Sequence, residues 1–377
     1  MINDAILTYL LQQQQEFLEM LREFVELESP SHENKQASDA CSRFLERSFS
    51  GLGFNFERIH QDTCGDHLYG EIGTGEGSAL IVGHYDTVFP IGTIKTMPFR
   101  LADGKAYGPG TLDMKGGIVM AYFALKALKD LGMMPEKKIG VFFNSDEESG
   151  SFTSSENIVR KARGYANVLV MEPGVNDLNI VKTGRYGRGT YDIIAHGKAA
   201  HSGSNSHMAV NPFMELARQL LYIEQWNKEI KGVTFAPTVI SGGIAGTCMV
   251  PETACFTMDV RYQSEELMKT VHEKILNLQP LTAGVQLEVR GKIDKPIMVG
   301  DRELYNKMAA VAKLYGMELK EVTVGGGSDG NFTAAAGIPT LDGLGTTGEF
   351  LHNPAEYIHT GHLPYRTAML AKLIEAL

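Results

Sequence analysis

Ala79-Leu80-Ile81-Val82-Gly83-His84-Tyr85-Asp86-Thr87-Val88 is the stretch on which the fold turns. Four apolar residues between Gly77 and Gly83 read as a strand buried on both faces, because a half-exposed strand alternates apolar with polar. Period two puts His84 and Asp86 on one face. A histidine at the carboxyl end of a parallel strand lies where ligands of open α/β sheets sit, and Asp86 is placed to orient its imidazole. Alone, such a histidine reads more naturally as structural.

Working outward, Ile6, Leu10, Phe17, Leu21 and Phe24 recur at helical spacing. Ser29-Pro30-Ser31 then breaks the pattern, and a second helix over 34–49 stops at Gly51 and Gly53. Beyond His84 a helix over 115–131 and buried strands over 139–143 and 168–171 predict an α/β layer with helices flanking a mostly parallel sheet. The rhythm changes near Tyr186. A strand over 186–195 leads to a helix over 212–225, with Asn211 as its cap and Pro212 in its first turn. Strands over 234–240 and 254–262, a helix over 265–276 and a strand over 285–289 follow. This β-α-β-β-α-β order predicts an inserted α+β, ferredoxin-like domain over 185–295, which splits the first domain into 1–184 and 296–377. The α/β pattern resumes with a helix over 302–315, a strand over 318–324 and a closing helix after Gly361.

A chain of 377 residues suits two domains. With 43% hydrophobic and 21% charged residues, it reads as a globular enzyme. No apolar run approaches the roughly 20 residues that span a bilayer. Residues 1–26 lack the basic start and apolar block of a signal peptide, so no membrane association and a cytoplasmic location are expected. Cys41, Cys64, Cys248 and Cys255 show no CxxC spacing and read as free thiols. A formal net charge of −10 argues against a nucleic-acid partner.

Four further segments carry ligand-type side chains. Tyr107-Gly108-Pro109-Gly110-Thr111-Leu112-Asp113-Met114-Lys115-Gly116-Gly117 is a glycine-rich turn opening a helix. A short carboxylate held there suits two cations about 3.5–4 Å apart, although an aspartate at a helix start is also a common cap. Asn144-Ser145-Asp146-Glu147-Glu148-Ser149-Gly150 ends a buried strand, where neighbouring side chains diverge. One glutamate can then bind metal while the other takes a proton from water, whose pKa a metal lowers from about 15.7 to about 7. Glu172 follows the strand over 168–171, and His352 stands in Phe350-Leu351-His352-Asn353-Pro354. Singly, each of these reads as surface or structure. Jointly, His84, Asp113, Glu148, Glu172 and His352 form an oxygen-and-imidazole set without thiolate, which suits zinc, manganese or cobalt.

These residues, in this order, make the chain resemble the zinc peptidase family of carboxypeptidases, acetylornithine deacetylase, succinyl-diaminopimelate desuccinylase and aminoacylase-1, over nearly its whole length. The resemblance implies two divalent ions, with Asp113 as the shared carboxylate. His84 and Glu172 complete one site, and Glu148 and His352 the other. It implies Glu147 as general base and later general acid, supported by Asp86. Glutamate at 172 is similar to the carboxypeptidase and deacylase branches. Gly197-Lys198-Ala199-Ala200-His201-Ser202-Gly203 resembles the lid segment whose histidine serves a partner subunit's site, which implies a homodimer. Arg261 resembles the arginine that grips a substrate α-carboxylate, though a salt bridge to Asp259 is the plain alternative. Gly325-Gly326-Gly327-Ser328-Asp329 resembles a substrate-facing loop, bringing in Gly327 and Asp329. The expected substrates are small N-acyl amino acids or peptides ending in an acidic residue, as for a glutamate carboxypeptidase. Lys182, Arg185 and Arg188 are candidates for reading a side-chain carboxylate, with solvated surface as the plainer reading for at least two of them.

Two positions depart from the family pattern. Cys248 stands where an asparagine often helps hold the scissile carbonyl, and a thiol is a poor substitute donor. Met114 replaces a second aspartate. Two other readings stay open: a biosynthetic N-acyl amino acid deacylase with the same site, and a catalytically silent relative that binds peptides or metal. The silent reading predicts eroded ligands or base, and all six are present.

Overall fold

A computed structural model describes residues 4–243 and 248–377. The chain divides into two compact units, one of Met1–Gly184, Met298–Val324 and Ser328–Leu377, the other of Arg185–Ile297 with Gly325–Gly327.

The first unit is built on a six-stranded sheet in the spatial order Asn55–Ile59, His67–Ile72, Lys137–Asn144, Thr74–His84, Tyr165–Val170, Thr340–Leu341. The strands Thr74–His84, Lys137–Asn144, Tyr165–Val170 and Thr340–Leu341 run parallel. His67–Ile72 runs against them, pairing antiparallel with Lys137–Asn144 on one side and Asn55–Ile59 on the other, which gives the mixed, mostly parallel sheet that the alternating pattern predicts. Register places His84 opposite Asn144 and Val82 opposite Val170, so segments that carry acids and imidazole leave the sheet at one edge. The helices Gly116–Asp130 and Leu363–Ala376 bury Ile118, Val119, Leu125, Leu370 and Ile374 in the main core. The antiparallel strands were not legible in the sequence: Asn55–Ile59 mixes Asn, Glu and Arg with its apolar residues and is only partly buried.

Two glycines are required by geometry. Gly110 has φ +74°, a left-handed turn that a side chain strains. At Gly117 a Cβ would lie 2.1 Å from the carbonyl oxygen of Met171, so only glycine lets the helix Gly116–Asp130 approach the segment that leads into Glu172. The N-terminal helical stretch is two helices, Ala5–Gln12 and Gln14–Glu26, rather than one continuous amphipathic helix. Its second half buries Phe17, Leu21, Phe24 and Val25.

The second unit has the ferredoxin-like order. Its antiparallel sheet runs Val233–Gly242, Thr253–Tyr262, Gly187–His196, Gln286–Lys295, and the helices Pro212–Glu229 and Glu265–Leu276 pack against it. Burial alternates along Gly187–His196 and Thr253–Tyr262, the period-two signature of a sheet with one covered face. Trp226, Tyr191, Tyr262, Val271 and Ile275 form part of its core. Gln286–Lys295 runs well past the strand end expected at 289, because its pairing with Gly187–His196 continues through a register shift near Ile293.

Trp226 is the only tryptophan in the chain and is buried in this core, so its fluorescence reports on the second unit. Ile275→Ala, which empties a fully buried site, is expected to destabilise that unit by about 2–5 kcal/mol. Denaturant titration followed at Trp226 checks it, and an unshifted midpoint would contradict the packing described.

Candidate metal centre

His84 is fully buried. Its Nδ1 lies 3.1 Å from the carbonyl oxygen of Asp86 and 3.3 Å from its Oδ1. Both neighbours are acceptors, so the ring proton belongs on Nδ1 and the Nε2 lone pair faces outward. That Nε2 meets Asp113 Oδ1 at 3.2 Å and Glu172 Oε1 at 3.3 Å. On the other side of the aspartate, His352 Nε2 lies 3.0 Å from Asp113 Oδ2 and 3.2 Å from Glu148 Oε1. Asp113 therefore turns one carboxylate oxygen to each imidazole. The result is two groups of three, His84-Asp113-Glu172 and Asp113-Glu148-His352, with the donor atoms of each within 4.8 Å of one another.

The acidic turn is held from Asp86. Its Oδ1 accepts from the Glu147 amide at 3.3 Å, and its Oδ2 from the Glu148 amide at 3.1 Å and Ser31 Oγ at 2.6 Å. One carboxylate thus orients the first imidazole and fixes the backbone of both glutamates. Asp146, the other acid of the triplet, accepts from Thr153 N and Oγ1 at 2.7 and 2.9 Å and braces the turn from below. Glu147 is buried next to the two groups in sequence, with 8% of its surface exposed. His352 stands in a loop of left-handed backbone, φ +59°, with 44% of its side chain exposed.

The donor set fits divalent cations. Each Nε2 approaches two carboxylate oxygens, and one N–H cannot satisfy both, whereas a cation shared among the three donors can. Glu148 Oε1 is buried without a hydrogen-bond partner; its 3.2 Å approach to His352 is a charge contact without hydrogen-bond alignment. Without a cation, only protons relieve the crowding of acids. Burial and the Asp113 charge push the Glu148 carboxyl up to about 8. The hydrogen bond to Asp113, and then the adjacent Glu148 carboxylate, push His352 up to about 10. Burial opposes protonation of His84, but Asp113, Asp86 and Glu172 outweigh it and hold its pKa well above the imidazole range. Burial likewise opposes ionisation of Asp113, and the two histidines still hold it below the usual carboxylate range.

One buried acid at this place had not been picked out from the sequence. Glu356 Oε1 accepts from the amides of Leu112 and Asp113 at 2.7 and 3.2 Å. Burial pushes its carboxyl up to about 8. Its only sequence signal is its spacing four residues after His352. Ser31 also went unread; its turn was visible only as a helix break.

The remaining candidates have partners within their own unit. Asp329 is buried, with Oδ2 accepting from Asn144 Nδ2 at 2.5 Å and Oδ1 from Ser151 Oγ at 2.6 Å. Both of its oxygens are thus engaged by neighbours within the first unit. Gly327 belongs to the second unit, where its carbonyl accepts from Arg185 Nη1 at 3.1 Å. Arg261 grips Asp259 through Nε at 2.7 Å and Nη2 at 3.1 Å, and Arg188 Nε reaches the same carboxylate at 2.7 Å. His201 is exposed, and its Nδ1 accepts from the amides of Gly203 and Ser204, each at 3.1 Å. Cys248 is exposed, and its carbonyl accepts from the Ser202 amide at 2.8 Å. Lys182 and Arg185 are both buried, against the reading of solvated surface for at least two of the three cations.

The sequence profile described as peptidase family M20/M25/M40 matches residues 80–376. The chain belongs to that family. Carboxypeptidase G2 of Pseudomonas sp. (strain RS-16) is 33% identical over 345 residues, covering 89% of this chain and 83% of that protein. Succinyl-diaminopimelate desuccinylase of Nitrosococcus oceani is 27% identical over 358 residues, covering 89% and 93%. Among solved structures, aminopeptidase PepT from Bacillus cereus superposes with a TM-score of 0.77 at 20% identity, covering 96% of this chain and 98% of that one. This M20/M25/M40 member is a metallo-hydrolase. No helix among its described residues is long and apolar enough to cross a membrane.

A pH dependence follows for the metal-free protein. His84, His352 and Glu148 all have raised folded-state pKa values. Each therefore contributes stability at low pH that is lost as pH rises, for His352 between about 6.5 and about 10. The lowered Asp113 contributes constantly across that window. Chelator-treated protein is expected to lose thermal stability steadily from pH 6 to 10, and saturating zinc to flatten the slope, as differential scanning calorimetry would show. A metal-free Tm that rises over this range would contradict the charge arrangement.

Proposed function

We propose that this M20/M25/M40 hydrolase cleaves an amide bond next to an amino acid with a free carboxylate, most like a glutamate carboxypeptidase. One observation carries the reading: the two oxygens of Asp113 serve two imidazole-carboxylate groups, with the Glu147 amide held by the same Asp86 that orients His84. His84, Asp113 and Glu172 would hold one divalent cation, and Asp113, Glu148 and His352 a second, zinc by preference with manganese or cobalt as alternatives. Bound there, the cations polarise the scissile carbonyl and acidify water.

The protein's own part is proton transfer and positioning. Glu147 accepts the proton of the attacking water and returns it to the leaving amine nitrogen. Asp86 supports this by holding the Glu147 and Glu148 amides. Since Nδ1 of His201 accepts two backbone N–H groups, the neutral ring carries its proton on Nε2. That is the tautomer able to donate to an oxyanion. Arg188 and Arg261 share the single carboxylate of Asp259, and the surplus positive charge suits a substrate carboxylate. Arg185 and Gly327 lie in the same unit. The similarity to carboxypeptidase G2 favours a peptide or N-acyl amino acid with an acidic end. Cys248, not asparagine, in the lid loop leaves His201 as the main protein donor to the oxyanion.

A homodimer is supported by the second unit's surface. Val233–Gly242 ends its sheet, with Val239 and Ile240 57% and 63% exposed. Leu221 and Tyr222 of the helix Pro212–Glu229 are exposed as well. An open apolar edge strand is a pairing surface, and a second copy can use it with twofold symmetry. The desuccinylase relatives support a second reading, removal of an acyl group from an N-acyl amino acid. It uses the same residues and differs in the acyl pocket, so rates on a panel of N-acyl amino acids and acidic dipeptides separate the two.

Glu147→Gln is expected to lower kcat about 10²–10⁴-fold with two metal equivalents still bound, measured by steady-state kinetics alongside metal analysis. Near-parental turnover would remove Glu147 from the proton path. Ile240→Lys is expected to yield monomers in light scattering, and a protein that stays dimeric would place the interface elsewhere.

A further inference from the structure

We infer that Glu356 is a positioning residue that clamps the turn carrying Asp113 to the loop carrying His352, and so sets the affinity of the second cation position. This rests on the two-cation reading above.

The turn into the helix Gly116–Asp130 leaves amides without helical acceptors. Asp113 is extended there, with φ −120° and ψ 99°, so its N–H and that of Leu112 point away from the helix ladder. Glu356 receives both on one oxygen. The glutamate is itself placed from two sides. Tyr357–His359 pairs with Lys105–Tyr107, with Tyr357 opposite Tyr107. That ladder seats Glu356 beside the chain that continues into Gly110 and Asp113. On the other side, the Glu356 amide donates to Asn353 O at 2.9 Å, and the Asn353 amide to Phe350 O at 3.0 Å. This tight turn has His352 inside it. A single fully buried carboxylate thus joins the shared acid to the histidine that completes only one of the two groups.

The consequence is asymmetric. His84 and Glu172 are carried by the parallel strands and keep their places without Glu356. His352 sits on an exposed loop of left-handed backbone and depends on local ties. Loss of the clamp releases the loop and loosens Asp113 toward it, so the Asp113-Glu148-His352 position suffers more than the His84-Asp113-Glu172 position.

The test uses chelator-treated full-length protein, stepwise zinc titration by calorimetry, and amide hydrogen exchange of peptides covering 108–116. Glu356→Ala is expected to expose the Leu112 and Asp113 amides to exchange and to weaken the second zinc equivalent about 10–100-fold, the size found for outer-shell ligands, with the first little changed. Glu356→Gln retains an acceptor oxygen of the same reach and is expected to bind both equivalents as the parent does. Glu356→Asp keeps the charge but withdraws the oxygen by one methylene. It is expected to resemble the alanine variant, and carries the test if that variant does not fold. Equal weakening of both equivalents, unchanged exchange in the alanine and aspartate variants, or a glutamine variant as impaired as aspartate would overturn the clamp. Should the parent protein take up fewer than two equivalents, the two-cation reading fails, and the exchange comparison still judges the contact between Glu356 and the turn.

Discussion

Asp113, Glu148 and Glu172 bring three carboxylates into a largely buried site around two imidazoles, and the fold around them answers the cost of that crowding. Like charges held together in low dielectric repel strongly and lose hydration. Protons can relieve the strain, as the raised Glu148 and His352 pKa values show. Divalent cations relieve it more completely, because each satisfies several oxygens and an imidazole lone pair at once. Asp113 is the critical member, since it alone faces both groups. Any shift of its carboxylate changes both sites, which explains the several independent restraints on its turn: Gly110 with positive φ, the Lys115 amide bonded to Gly110 O, and the carboxylate of Glu356.

The parallel sheet supplies the rest by register rather than by special local chemistry. Adjacent strand ends stand about 4.8 Å apart, a spacing that side chains of histidine and glutamate can close. His84 leaves the central strand, the acidic turn leaves its neighbour on one side, and Glu172 follows its neighbour on the other. Asp86 ties the first two together through His84 Nδ1 and the amides of Glu147 and Glu148. The close pass of Gly117 to the Met171 carbonyl sets the third against the Asp113 turn. Rigidity in the core thus becomes precision at its edge, as functional sites require.

How much of this the sequence displays depends on the range over which each signal acts. Strand and helix periods are local, so Ala79 to Val82, the helix starting at Pro212 and the β-α-β-β-α-β order were readable from spacing alone. The ligand-type residues were readable jointly as an oxygen-and-imidazole set, and their division between two cation positions needed the family resemblance. What stayed hidden acts across sequence distance. Glu356 and the Leu112 amide are 244 residues apart, and no periodicity links them. Asp329 is another such case: a Gly-Gly-Gly-Ser-Asp run looks like an open loop, but Asn144 and Ser151, 185 and 178 residues away, bond to the buried aspartate. Composition also hid the outer strand Asn55–Ile59, whose pairing with His67–Ile72 overrides a weak intrinsic preference.

The two units divide the chemistry by the kind of charge they handle. The first holds groups whose protonation can change, buried acids and imidazoles whose pKa values are moved by one another. The second holds its polar groups by contacts within its own sheet and loops. Arg188 and Arg261 share the carboxylate of Asp259, and His201 accepts two backbone amides at Nδ1. On the function proposed above, the first set moves a proton, and the second recognises carboxylate and stabilises developing charge. Because the second set hangs on a separate ferredoxin-like unit, its loops can vary without disturbing the buried carboxylates. That arrangement gives a physical reason why proteins called carboxypeptidase G2 and desuccinylase align with one chain at comparable coverage. The costly part, an acid cluster in a core, lies wholly in the first unit, and substitutions cost least where burial is slight.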